Sequence, residues 1–289
     1  MQIINTVAEL RQALNKPNHQ TNIGFVPTMG NLHAGHIHLV NLAKQQCNCV
    51  VVSIFVNPLQ FGANEDLANY PRTLDVDCEK LKAAGCDIVF TPTVSEMYPQ
   101  MSQSSAGIQL NQSMTILPPA IANDLCGASR PGHFAGVATV VAKLFNMVQP
   151  QTAFFGKKDF QQLFVIRELV QQFNYPIKIV AGETVRESSG LALSSRNGYL
   201  SAAQKQQAAA LNETLHEIAL AIKAQNAEFD SLENAAKTKL NTLGWQVDYV
   251  TVRNALNLQP ASQADKQLVI LAAAKIGNTR LIDNIELSL

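Results

Sequence analysis

The run "VVVSIFV" at 50–56 is apolar at odd and even positions alike. Successive side chains of a strand leave on opposite faces, so this run is satisfied only where both faces are covered. A parallel strand with helices above and below does that, and neighbouring segments carry the same reading. "NIGFV" (22–26) is a second apolar run, expected to stop at Pro27, and "GHIHLVNLAKQQ" (35–46) follows at helical spacing. "DVDCEKLKAAGCDIVF" (75–90) reads helix, glycine stop, strand, with Gly85 in the C-cap position. "VATVVAKLFNMV" (137–148), "TAFFG" (152–156) and "DFQQLFVIRELVQQF" (159–173) read helix, strand, helix. Repeated β-then-α units predict a parallel sheet covered on both faces, with ligands at the carboxyl ends of its strands.

The last hundred residues have a different grammar. A long Ala/Gln-rich helix is expected over 201–225 with Ser201 as N-cap, and a second over 230–244 with Asp230 or Ser231 as N-cap. "WQVDYVTVRNA", "QLVILAAAKI" and "TRLIDNIEL" are strand-like, and the Gly-Asn of "KIGNTR" suits a hairpin turn. A chain of 289 residues favours two domains. We place a Rossmann-like α/β domain at 1–184 and a smaller C-terminal α+β domain, a lid over the site, at 185–289.

The chain has 22 basic and 22 acidic residues, against the basic balance of domains that grip nucleic acid. Five cysteines without a CxxC spacing read as reduced thiols, not a disulfide framework or metal site. No apolar run approaches the roughly 18 to 20 residues of a membrane span, and "MQIINTVAELRQAL" lacks the apolar region of a signal peptide. The expectation is a soluble cytoplasmic protein without nucleic-acid or membrane partners.

Chemistry concentrates where strands end. In "FVPTMGNLHAGHIHLV" (25–40), His33 and His36 flank a helix start, where free backbone N–H groups and the positive dipole end favour an anion. Gly30 and Gly35 allow close approach to the backbone, while His38 is expected to point away. Asn57, Pro58 and Gln60 follow the strand in "SIFVNPLQFG"; the amides suit a small polar substrate, and Asn-Pro equally suits a plain turn. "RPGHFAG" offers Arg130 and His133 as an anion site or as a capped loop. "FFGKKDFQQ" places Lys157, Lys158 and Asp159 at a strand end and Gln162 one turn into a helix, a plausible phosphate clamp or a solvated basic pair. "SSRN" puts Ser194, Ser195 and Arg196 on a hydroxyl-rich loop that suits a closing site or a bland turn.

"HAGH" between a strand and a helix resembles the H-x-G-H signature of the nucleotidyl-transfer superfamily, which includes class I aminoacyl-tRNA synthetases. The longer "PTMGNLHAGH", with "DLANYPRT" (66–73), is similar to the pantoate–β-alanine ligase family, and the likeness runs through "SSRN" at 194–197. The resemblance implies ATP-dependent joining of (R)-pantoate and β-alanine through a pantoyl adenylate, releasing AMP and pyrophosphate. It implies ATP contacts from Pro27, Thr28, Met29, Gly30, His33, Gly35, His36, Gly156, Lys158, Asp159, Val185, Ser194, Ser195 and Arg196. It assigns pantoate to Met29, Asn57, Gln60, Val137, Val140 and Gln162, the valines facing its gem-dimethyl group. His33, His36, Lys158, Ser194, Ser195 and Arg196 would carry the catalytic charge stabilisation. Mg²⁺ would bind mainly through ATP phosphates, without a dedicated protein site, and the chain would form a homodimer through its N-terminal domain.

Two positions depart from the family pattern. Lys157 stands where F-G-E-K-D is common, which would add positive charge near the triphosphate, and Ser189 stands where D-G-L-A is common. No residue stands out as the base that deprotonates β-alanine. A nucleotidylyltransferase, which keeps the nucleotide on its product, and a non-catalytic nucleotide-binding or RNA-binding module derived from a synthetase remain alternative readings, the zero net charge arguing against RNA.

Overall fold

The computed structural model describes residues 1–15, 22–62, 65, 67–99, 101–104, 107–110, 112–225 and 228–289. Asp66, the first residue of the 66–73 motif, lies outside them. Along the chain the first half runs β1 (Gln2–Ile4), α1 (Val7–Leu14), β2 (Ile23–Thr28), α2 (Ala34–Gln46), β3 (Cys49–Ile54), α3 (Leu74–Ala83), β4 (Ile88–Phe90) and α4 (Val94–Met97). Next come β5 (Met101–Ser104), β6 (Gly107–Leu110), α5 (Cys126–Ser129), α6 (His133–Val148), β7 (Thr152–Gly156), α7 (Phe160–Gln172) and β8 (Lys178–Gly182). The C-terminal part holds α8 (Ala202–Lys223), α9 (Phe229–Thr242), β9 (Gln246–Asn254), β10 (Gln267–Ile276) and β11 (Thr279–Ser288).

Six strands form a parallel sheet in the order β1-β4-β3-β2-β7-β8. Burial on both faces is visible in the parity of the side chains. Phe25, Cys49, Val51, Ala153 and Phe155 join the core shared with α1, α6 and α7, whereas Val26, Val50, Val52 and Phe154 join the core under α2 and α3. The sequence winds outward from β2 to β3 and β4 on one side and from β7 to β8 on the other. That reversal is where an open α/β sheet leaves a crevice.

β2 does not stop at Pro27; it pairs with β3 through Thr28. Pairing with β7 ends earlier, at Phe25 opposite Ala153, so Pro27 lies where β7 no longer needs an N–H from it. β1 and the β5–β6 hairpin were not expected. β1 is only three residues long, too few for a pattern, and owes its existence to the exposed edge of β4.

The second unit is an antiparallel sheet, β11-β10-β9, packed under α8 and α9 around Leu215, Trp245 and Ile270. Gly277 closes the β10–β11 hairpin at φ +57°, as the Gly-Asn pair implied. Ser201 caps α8 in a reciprocal box with Gln204. α9 starts earlier than expected, with Glu228 at the N-cap in place of Asp230 or Ser231, because Phe229 packs against the core and brings its own turn into the helix. The division proposed at 184/185 falls between Gly182, which ends the parallel sheet, and Leu191, the first buried residue of the second core.

Candidate active site

Where β2 and β7 part, their carboxyl ends open a cavity floored by Thr28, Met29, Phe155 and Gly156. The chain leaving β2 turns through Gly30 at φ +84° and Asn31 at φ +50° before α2 begins. Asp77 of α3 holds this turn: its carboxylate is fully buried and accepts the N–H groups of Asn31 and Leu32, each at 2.8 Å, and the Thr73 hydroxyl at 3.0 Å. An added Cβ at Gly30 would lie 3.0 Å from Ile54 and 3.2 Å from Asp77. Gly30 therefore shapes the turn from behind, and it does not line the cavity.

His33 is the N-cap of α2 and folds back over the helix start. Its Nδ1 accepts the N–H of Gly35 at 3.1 Å, while its own backbone N–H donates to Nδ1 of His36 at 3.2 Å. A Cβ at Gly35 would come within 2.9 Å of the His33 ring, so the fold-back needs glycine there. Both Nδ1 atoms are acceptors, which fixes the proton of each neutral ring on Nε2. Burial foremost, then the proximity of His36 and Lys158, lowers the pKa of His33 from 6.5 to about 3. Burial likewise lowers that of His36 to about 4. Near neutrality the pair is two uncharged Nε2–H donors lining the cavity at a helix N-terminus, an arrangement suited to phosphate oxygens.

Charge arrives from two other segments. A 3₁₀ turn, Lys157–Asp159, joins β7 to α7 and puts Lys158 and Asp159 on the cavity wall. The Lys158 Nζ lies 3.9 Å from an Asp159 carboxylate oxygen, a loose pairing that leaves it able to meet an anion. Lys157 is turned away: its ammonium binds Glu183 at 2.7 Å and Glu286 at 2.6 Å. The charge that this departure adds is thus answered by two carboxylates and does not face the cavity. Opposite, Ser194 caps the turn Ser195–Tyr199, accepting the N–H of Arg196 at 3.2 Å. Ser195 donates to the carbonyl of Asn31 at 3.3 Å, which ties this loop to the turn before α2.

The far end of the cavity is amide and apolar. Asn57 is 1 % exposed and all its bonds are internal: Nδ2 donates to Oε1 of Gln60 (3.1 Å) and the Gly136 carbonyl (3.2 Å), while Oδ1 accepts from Tyr98 (2.7 Å) and Leu59 N–H (3.3 Å). Asn57 thus orients Gln60, whose Nε2 is the donor left to the cavity and rests 3.1 Å from the Met29 sulfur. Val137 and Val140 of α6 make the apolar wall, and Gln162 enters from the first turn of α7. Gly136 lets α6 lie on the Pro58–Gln60 turn; a Cβ there would be 2.2 Å from the Leu59 carbonyl oxygen.

Of the residues that the family resemblance assigned to ATP or pantoate, all but Gly30 line this cavity; Pro58, Arg130, His133 and Lys157, offered on local grounds, do not, and neither does His38. "RPGH" proves to be a brace: Arg130 grips Glu65 at 2.6 and 2.8 Å and donates to Nε2 of His133 at 3.0 Å, while Nδ1 of His133 donates to the Gln60 carbonyl. Sequence reasoning missed Asp77 and Tyr98. Nothing local marks Tyr98, and the only signal for Asp77 is an acid in the first turn of a helix, which ordinary dipole complementarity already explains.

A family model for pantoate–β-alanine ligase matches residues 2–286. The pantothenate synthetase of Methylobacillus flagellatus is 61 % identical over 288 residues, covering 100 % of this chain and 99 % of its own length. That of Thiobacillus denitrificans is 56 % identical, with 100 % and 98 % covered. Among solved structures, a pantothenate synthetase from Thermus thermophilus superposes with a TM-score of 0.91 at 40 % identity, both chains covered in full. A Francisella tularensis pantoate-β-alanine ligase, complexed with β-γ ATP and β-alanine, gives 0.80 at 35 % identity, with 99 % of this chain and 97 % of its own covered. With its parallel sheet, its histidine-capped α2 and its whole length accounted for, the chain belongs to the pantoate–β-alanine ligase family.

Proposed function

We propose that the chain condenses (R)-pantoate with β-alanine at the expense of ATP, giving pantothenate, AMP and pyrophosphate through a pantoyl adenylate. The observation that carries this reading is the polarity of the cavity at the carboxyl ends of β2 and β7. One end gathers two neutral imidazole donors, a helix N-terminus, Lys158 and the Ser194–Arg196 loop; the other presents Gln60 and Gln162 over Val137 and Val140. A triphosphate suits the first, and a small hydroxy acid with an apolar gem-dimethyl group suits the second.

A carboxylate does not acylate an amine near neutrality, because its oxygen leaves poorly. In the first step a pantoate carboxylate oxygen attacks the α-phosphorus, the bond to the bridging oxygen breaks, and pyrophosphate departs. His33, His36, Lys158, Ser194, Ser195 and Arg196 stabilise the charge that builds on the phosphates. Pro27, Thr28, Met29, Gly35, Gly156, Asp159 and Val185 line the nucleotide end, while Asn57 serves pantoate indirectly by holding Gln60. In the second step the β-alanine amine attacks the acyl carbon and AMP leaves.

Among the described residues no group of three or more His, Cys, Asp or Glu side chains is arranged to hold a metal ion. The reading gives Mg²⁺ to the ATP substrate, bound through phosphate oxygens and water. The family likeness also supports a homodimer formed through the N-terminal domain, which sedimentation checks. Five unpaired cysteines suit a reducing, cytoplasmic setting, and no helix among the described residues is long and apolar enough to cross a membrane.

The deciding experiment supplies ATP, Mg²⁺, (R)-pantoate and β-alanine, omits each in turn, and follows AMP and pantothenate by chromatography. Both products appear only with every component present, and pantoate alone supports ATP–pyrophosphate exchange. A phosphorylated product that retains the nucleotide would instead assign a nucleotidylyltransferase, and ATP binding without turnover a non-catalytic module.

A further inference from the structure

The "LIDNIEL" strand, β11, carries no residue that the reaction calls for, yet it reaches across to the turn that bears Lys158. Asn284 is 5 % exposed, and its side-chain amide donates to the carbonyl of Lys157 at 2.9 Å and to that of Lys158 at 2.8 Å. These carbonyls belong to the two peptide planes that flank the Lys158 Cα. Pinning both planes pins the backbone dihedrals between them, and with them the direction in which the Lys158 side chain leaves. We infer that Asn284 is a positioning residue: from the second domain it sets the Lys158 ammonium in place for the phosphates.

The amide is itself held. Its strand pairs with β10, placing Asn284 opposite Leu271. Its backbone N–H donates to Asp283 at 2.7 Å, and its carbonyl accepts from Arg186 at 3.3 Å. Asp283, 4 % exposed, takes both arms of Arg186 at 2.7 and 2.9 Å and the amide of Asn212 from α8 at 3.1 Å. Two residues along the same face of β11, Glu286 takes the Lys157 ammonium at 2.6 Å. The turn is thus held by its backbone from Asn284 and by its flanking side chain from Glu286. Asn284 does this with both hydrogens of one amide, a task that Asp, with no hydrogen to give, cannot perform.

The inference rests on the reading of Lys158 as a phosphate ligand, and the test separates the two. Asn284→Ala, Lys158→Ala and the double variant are compared by pantoate-dependent ATP–pyrophosphate exchange, with thermal midpoints measured in parallel. Asn284→Ala lowers kcat about 10- to 100-fold with little change in the KM for pantoate, as expected for a displaced transition-state donor. In the Lys158→Ala background the same change costs nothing further, because the group it positions is gone. Asn284→Ser, which keeps one donor, retains intermediate activity, and it replaces the alanine variant in the cycle should that one not fold. An equal fold-loss from Asn284 substitution in both backgrounds, or none in either, would overturn the inference. Full activity of Lys158→Ala would overturn the reading of Lys158 itself.

Discussion

A histidine beside a phosphate site is commonly drawn as a cation, and here the hydrogen bonds argue against that. His33 and His36 each spend Nδ1 on a backbone N–H, so gaining a second proton would mean breaking the helix cap. In the proposed reaction the pair would act by donating from Nε2 while neutral. His36→Ala should therefore lower turnover roughly 10²- to 10³-fold, as for loss of one preorganised donor. His38→Ala, two positions on and outside the cavity, should leave turnover near normal; the reverse pattern in steady-state assays would put the wrong face of α2 at the site. His133 makes a second point at this scale. It is 8 % exposed, and burial foremost, then the Arg130 guanidinium, lowers its pKa from 6.5 to about 4. The unfolded chain binds that proton more readily, so stability is present above about pH 6.5 and is lost as pH falls towards about 4. Urea midpoints across that window should fall for the native chain and fall less for His133→Asn; parallel curves would remove His133 from the acid response. The identities of these histidines were legible in the sequence. Their tautomers were not, because a tautomer depends on which backbone groups a fold delivers.

At the scale of elements, the parallel strands of the first half were readable because double-sided burial leaves apolar residues at both parities, a mark that Val50, Val51 and Val52 carry plainly. The end of β2 was misjudged because a proline stops a strand only when both neighbours need its N–H, and a split in the sheet is not a local property. Gly136 was likewise opaque. In the sequence it is a helix-weakening glycine, while in the fold it is the point where α6 touches the turn that carries Gln60. Gly136→Ala sets a methyl group against a backbone carbonyl that cannot rotate aside, so it should destabilise by about 1–3 kcal/mol despite the better helix propensity of alanine. It should also raise the KM for pantoate more than that for ATP, since the displaced turn serves the amide end of the cavity. A gain in thermal midpoint, as propensity alone predicts, would mean that α6 and the turn can separate freely.

The whole molecule is held together by more than the site. Leu125 and Phe160 of the first unit share a core with Leu258, Val269 and Leu271 of the second, and Cys126, Phe134 and Val165 pack with Tyr249 and Ile282. An apolar contact of this kind couples the stability of two units, whereas the polar interfaces of loosely joined domains let each unfold alone. The sequence distinguished the two units by their grammar but held no sign of this seam, since residues on it look like ordinary core in either unit. The chain carries its own probes for a test. Its single tryptophan, Trp245, is buried in the second unit, and all five cysteines are buried in the first. Leu271→Ala, at a position 4 % exposed on β10, should cost about 2–5 kcal/mol. Because the seam is shared, thiol labelling and Trp245 fluorescence should report the same lowered urea midpoint in this variant, as they should report one common midpoint in the native chain. If fluorescence shifts while the thiols stay protected, the second unit loosens by itself, and the positioning of Lys158 from β11 would then be lost well before the parallel sheet unfolds.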